Sequence, residues 1–177
     1  VTTTSGNTAT VAVPTGSVGT YTYALESVQD ASSTACIRAQ TGGVTVTVNP
    51  LPTATILGTT SVCREGASPS VSFIGANGTA PYTFTYNING GSVQNITTSV
   101  GVNSISISAP TGTAGTFNYN LTGVQDASST ACIQAQTGTS VITVNPLPTA
   151  TISGTTEVCR NSGPPNITFT GANGTAP

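Results

Sequence analysis

Short runs in which apolar and polar residues alternate recur along the chain, the period-two signature of strands with one buried face. The clearest is Tyr82, Phe84, Tyr86 and Ile88, interleaved with Thr83, Thr85 and Asn87. Val71 and Phe73 enclose Ser72, and Ile105 and Ile107 enclose Ser106. Phe117, Tyr119 and Leu121 alternate with Asn118 and Asn120, as Ile142 and Val144 do with Thr143. With a first strand expected at about 53–57, the stretch holds six or seven strands. Asn89-Gly90-Gly91 supplies residues that tolerate the positive φ of a tight hairpin turn. No window carries apolar residues at i, i+3, i+4 and i+7, so essentially no helix is predicted.

The pattern returns at a fixed distance. VQDASSTACI stands at 28–37 and at 124–133, TVNPLPTATI at 47–56 and at 143–152, and GANGTAP at 75–81 and at 171–177. Each offset is 96, and the ungapped alignment of 1–81 with 97–177 has 48 of its 81 pairs identical. Such a period is too long for a solenoid unit and suits a small sandwich domain. The two prolines of Asn-Pro-Leu-Pro, at 49–52 and 145–148, end a strand and stiffen a connector. Residues 51–146 are thus expected to form one complete domain, 1–50 the C-terminal part of a preceding copy, and 147–177 the N-terminal part of a following one. Two periods less the counterpart of 82–96 account for the whole length, which reads as a window onto a longer polymer. Leu51 and Leu147, each between two prolines, are expected to be buried against a neighbouring domain and to hold successive copies in a rod.

Composition narrows the class further. Thr accounts for 36 of the 177 residues, and its branched Cβ favours extended backbone. A 36% hydrophobic content with net charge −2 is unlike the composition of a disordered chain. Three Arg and no Lys cannot neutralise a phosphate backbone, so no nucleic-acid partner is expected. No apolar run is long enough to insert into a membrane.

The chain has four cysteines, Cys36, Cys63, Cys132 and Cys159, and no His. Without CxxC spacing or a nearby base, a zinc site or catalytic thiol is disfavoured and structural disulfides are expected. Cys63 with Cys132 is preferred, because each copy then carries its own staple; Cys36 with Cys63 and Cys132 with Cys159 is the alternative. Asp30 and Asp126 are the one acidic position present in both copies, since Glu26 becomes Thr122. An Asp ahead of a Ser-rich loop is expected to bond nearby N–H groups, and a ligand-binding loop is the competing reading. Arg64-Glu65 becomes Arg160-Asn161 and is expected to be a weak exposed pair. Asn-X-Ser/Thr sequons begin at Asn77, Asn95, Asn120, Asn166 and Asn173, a pattern that arises easily in such a composition. No catalytic residue, cofactor or metal site is assigned, and no enzymatic activity is expected.

Pro-Thr-Ala-Thr-Ile, Val-Cys at 62–63, Gly-Thr-Ala-Pro-Tyr-Thr-Phe-Thr-Tyr at 78–86, Gly-Thr-Phe-Asn-Tyr-Asn-Leu at 115–121 and the closing Val-Asn-Pro-Leu-Pro occur in a telling order. The whole period resembles the PKD-like, immunoglobulin-like tandem repeats of large Bacteroidota cell-surface proteins, among them gliding-motility adhesins. That resemblance implies an all-β chain of tandem immunoglobulin-like β-sandwich domains, exported to the extracellular face of the cell. It implies a structural role in a stalk, adhesin rod or filament. The partners would be neighbouring copies of the repeat, other filament subunits or a surface glycan. A glycan- or surface-binding module is the alternative function.

Overall fold

A computed structural model describes residues 1–3 and 6–175, so Thr4, Ser5, Ala176 and Pro177 of the two outer segments lie outside the described residues. All regular secondary structure among them is strand. Before the first connector come β1 (Gly19–Ala24), β2 (Ser27–Gln29), β3 (Ile37–Ala39) and β4 (Gly43–Val48). From the first connector to the second run β5 (Thr53–Leu57), β6 (Thr60–Cys63), β7 (Ser70–Ala76), β8 (Thr83–Ile88), β9 (Gln94–Thr97), β10 (Ser104–Ser108), β11 (Gly115–Gln125) and β12 (Ile133–Asn145). Beyond it lie β13 (Thr149–Ser153) and β14 (Thr168–Ala172). The central stretch therefore holds eight strands, where alternation had predicted six or seven.

Those eight strands make two sheets, one in the order β10-β7-β5 and one in the order β6-β12-β11-β8-β9. Every pairing is antiparallel except β6 with β12, which is parallel. The alternating residues meet between the sheets as their spacing predicted. Ile56, Val71 and Phe73 come from one side; Phe84, Tyr86, Tyr119, Leu121, Val124, Ile142 and Val144 come from the other, all buried. Phe73 packs its ring 4.9 Å from Tyr86 and 5.6 Å from Phe84, centroid to centroid, within the favourable range for aromatic pairs. Two layers closed over one core are the arrangement of a β-sandwich.

Gly58 explains how the chain joins both layers. Its φ of +123° suits glycine, and a Cβ there would run into the carbonyl of Ser70. The chain leaves β5 in the smaller sheet, turns at Gly58, and enters the larger sheet as β6. At the other marked turn, Asn89 and Gly90 adopt φ of 52° and 72°, as the turn reading required.

The outer segments repeat the central pairings. Gly19↔Val48 through Ala24↔Gly43 in β1–β4 reproduces Gly115↔Val144 through Asn120↔Thr139 in β11–β12. Val28↔Arg38 matches Val124↔Gln134, and Thr149↔Ala172 matches Thr53↔Ala76. Each difference is 96 residues. The connectors correct one expectation: Leu51 and Leu147 are both exposed, and Pro52 is the residue of the first connector that is buried. The pyrrolidine ring carries no N–H to satisfy, so it enters an apolar site at no hydrogen-bonding cost.

Candidate functional site

VQDASSTACI, one of the segments that return unchanged, spans the loop between β11 and β12. Within it the Asp126 N–H donates to the Cys132 carbonyl (3.1 Å), and the Ala131 N–H donates to the Ser128 carbonyl (2.8 Å). Ala131 takes a φ of +47°, an uncommon conformation for a residue with a Cβ. The Asp126 carboxylate accepts from the Ser128 hydroxyl at 2.8 Å and from the Thr79 N–H at 3.1 Å. Burial pushes this carboxyl up, but the Ser128 hydroxyl and the N–H groups of Thr79, Ser128 and Cys132 outweigh it and hold the pKa below its ordinary value.

Thr79 belongs to GANGTAP, another unchanged segment. Gly78 lies so close that a Cβ there would sit 2.7 Å from the Asp126 carboxylate. The Ala127 N–H returns a bond to the Thr79 carbonyl (2.8 Å), and the Tyr82 hydroxyl accepts from the Gly78 N–H (3.0 Å). The third unchanged segment arrives as well. Asn49 of the connector donates to the Thr130 hydroxyl at 3.1 Å, the Ala54 N–H donates to Gln136, and Asn77 donates to Thr53. The three stretches that do not vary between copies thus converge at one end of the sandwich.

What this arrangement does chemically is clasp loops. Both carboxylate oxygens of Asp126 hold donors, as the turn reading expected. The earlier copy of the loop is built alike: Asp30 Oδ1 accepts from the Ser32 hydroxyl (2.7 Å) and the Cys36 N–H (2.9 Å), and Ala35 has a φ of +45°. The Ser32 hydroxyl is the main cause of the lowered Asp30 pKa, followed by the Ser32 N–H; desolvation opposes them, and the Cys36 N–H adds a lesser part. Gly78, Thr79, Thr130 and Asn49 were not singled out in the sequence by residue type. Their signal was membership of segments that return unchanged.

The cysteines correct the disulfide expectation. All four are free thiols. Cys63 ends β6 in register with Asn145, the last residue of β12, whereas Cys132 immediately precedes Ile133, the first. Twelve steps of about 3.3 Å put them roughly 40 Å apart, far beyond the ~7 Å Cα separation that a disulfide can span. A staple between Cys63 and Cys132 of one copy is therefore not possible in this fold. The alternative pairs, Cys36 with Cys63 and Cys132 with Cys159, are not joined either. Instead, Cys132 Sγ lies 3.2 Å from the Thr130 hydroxyl, and Cys36 Sγ lies 3.3 Å from that of Thr34. The Thr34 and Ser32 hydroxyls lower the Cys36 pKa.

Among the described residues no three His, Cys, Asp or Glu side chains gather as a metal site would require, and no helix is long and apolar enough to cross a membrane. Arg64 and Glu65 form an exposed pair at 3.3 Å, as the sequence reading expected. In comparisons with known proteins, no family model and no curated protein matches the chain.

Proposed function

We propose that the chain is a run of immunoglobulin-like repeats forming the shaft of a long extracellular surface protein or filament. On this reading 51–146 is one complete repeat, 1–50 the end of a preceding one, and 147–177 the beginning of a following one. The observation that supports it most is the return of the same strand registers 96 residues apart, with the same hydrogen-bonded loop in both copies. The strand order agrees with it: β5, β7 and β10 in one layer oppose β6, β8, β9, β11 and β12 in the other, and the chain crosses between layers from β5 to β6.

The placement of the connectors favours addition end to end. Asn49 touches the 126–132 loop at one end of β12, and Asn145 lies beside Cys63 at the other. The 13 residues of β12 rise about 43 Å, which sets the advance per repeat. The partners would be adjoining repeats and further subunits of a filament, on the cell surface, as in the Bacteroidota proteins that the period resembles. The glycan-binding alternative gains nothing from the rings Tyr82, Phe84 and Tyr86, which are buried, while Thr83 and Thr97 outside bond to each other.

Small-angle scattering on a chain of three complete repeats tests the shaft. The expected maximum dimension is about 130 Å, three times the rise of β12. A compact particle, or a broad distribution of distances, would overturn it.

A further inference from the structure

The central sandwich holds its two cysteines at opposite ends, and each end meets a connector. At the exit, β6 runs parallel to β12, with Val144↔Val62 and Asn145↔Cys63 as the last rungs. Val144 and Val62 pack into the core, so Asn145 and Cys63, one residue further on, both point outward on the same side. Paired strands lie about 4.8 Å apart, which puts the Cys63 thiol beside the Asn145 side chain. At the entry, the Asn49 amide donates to the Thr130 hydroxyl at 3.1 Å, and that hydroxyl lies 3.2 Å from Cys132 Sγ. Asn49 and Asn145 are the same position, 96 residues apart. One asparagine per junction therefore stands next to both kinds of thiol: that of Cys63 in the repeat being left, and that of Cys132 in the repeat being entered.

We propose that a disulfide forms across each junction, between Cys63 of one repeat and Cys132 of the next. This rests on the repeat reading of the proposed function and adds a covalent strap beside each connector. Every part of the junction recurs: VQDASSTACI and TVNPLPTATI return unchanged, and Val-Cys at 62–63 returns at 158–159 although Arg64-Glu65 becomes Arg160-Asn161. Neither thiol is shut away, since Cys63 is exposed and Cys132 is half-buried. In the preceding copy the Thr34 and Ser32 hydroxyls hold the Cys36 pKa down, which raises the thiolate share at the position equivalent to Cys132. The pairs Cys36 with Cys63 and Cys132 with Cys159 differ, because each would join the far ends of adjoining repeats. The partner of Cys63 lies in the next repeat's counterpart of 126–132, and that of Cys132 in the preceding repeat's counterpart of 60–63. No junction pair therefore falls within residues 1–177.

The oxidant is a low-molecular-weight disulfide. The Cys132 thiolate attacks one of its sulfurs, forming a mixed disulfide and expelling one small thiolate. The Cys63 thiolate of the preceding repeat then attacks the Cys132 sulfur and expels the second. Two protein thiols are oxidised, the small disulfide is reduced to two small thiols that take up the two protons, and no further reactant is needed.

Residues 51–146 hold both sheets and the closed core, so two tandem copies of that stretch make the test chain. Cys132→Ser in the first copy with Cys63→Ser in the second leaves only the junction pair. The opposite replacements leave only the thiols at the two outer ends. Both chains are treated with oxidised glutathione, and mass spectrometry counts free thiols and bound glutathione. The expected result is that the junction chain loses both thiols to an internal disulfide, whereas the outer-end chain forms none. Equal melting temperatures after reduction check that the replacements leave the sandwiches intact. A junction chain that keeps both thiols, or carries glutathione on both cysteines, overturns the proposal. So does an internal disulfide formed equally in the two chains. A straight three-repeat chain by scattering without the junction disulfide would reject the strap and keep the shaft; a compact three-repeat chain would reject the shaft.

Discussion

Leu121 and Leu25 stand at equivalent positions in the two copies, in hairpins with the same register, and only Leu121 is buried. Phe73 and Phe169 differ in the same way. Extended backbone and hairpin pairing form in both places, because alternation and turn residues specify them locally. Burial does not, because it needs the opposite layer. The loop carboxylates add a finer contrast. Asp126 and Asp30 gather the same donors from their own loop, but Asp126 alone reaches Thr79 across the sandwich and is buried there.

The largest test of this contrast is Phe73→Ala against Phe169→Ala. Loss of the Phe73 ring should cost about 3–5 kcal/mol, read from urea midpoints of the central transition. The same change at exposed Phe169 should leave that transition within about 0.5 kcal/mol; equal effects would show that the outer copies are as closed as the central one. Next comes Asp126→Ala, expected to cost about 1–3 kcal/mol through the donors it strands. Asp30→Ala should leave the central transition unmoved. The pH dependence has a fixed sign. The folded pKa of Asp126 lies below its ordinary value, so its contribution is complete above the unfolded pKa near ~4 and is lost as pH falls through the lower folded value. Melts between neutral and acid pH should therefore converge for the parent and Asp126→Ala.

Smaller still is Ala131→Gly. Relief of a Cβ held at a φ of +47° should exceed the added freedom of the unfolded chain and raise stability by up to about 1 kcal/mol in the same melts. Reductant is the zero of the series. With free thiols and no staple inside the sandwich, melting temperatures with and without it should coincide.

The same division separates what could be read from the sequence from what could not. β5 was legible at 53–57, as were the Tyr82–Tyr86 face and the Asn89-Gly90 turn, because each depends on neighbours along the chain. β6 was not, since Thr60-Ser61-Val62-Cys63 does not alternate and is a strand only by lying beside β12. The first half of β12 was missed for a related reason: Gln134 to Thr139 is polar and is held extended by pairing with β11. The disulfide reading failed on direction. Spacing cannot show that β12 carries the chain from the Cys132 end to the Cys63 end. At the candidate site Asp126 was read correctly as a turn residue, but its partner Thr79 is 47 positions away and no local pattern reports it.

On the proposed shaft reading, the parallel pairing of β6 with β12 would matter under tension. Four rungs, Ile142↔Thr60 to Asn145↔Cys63, join a strand near the start of the sandwich to the strand that leaves it. Pulling on the two connectors drags these strands past each other along their length, so the rungs are strained together in shear. Peeling would break them singly. The rupture force of a repeat would then be set by this short edge contact, and the aromatic core behind it would be exposed only after the contact had failed.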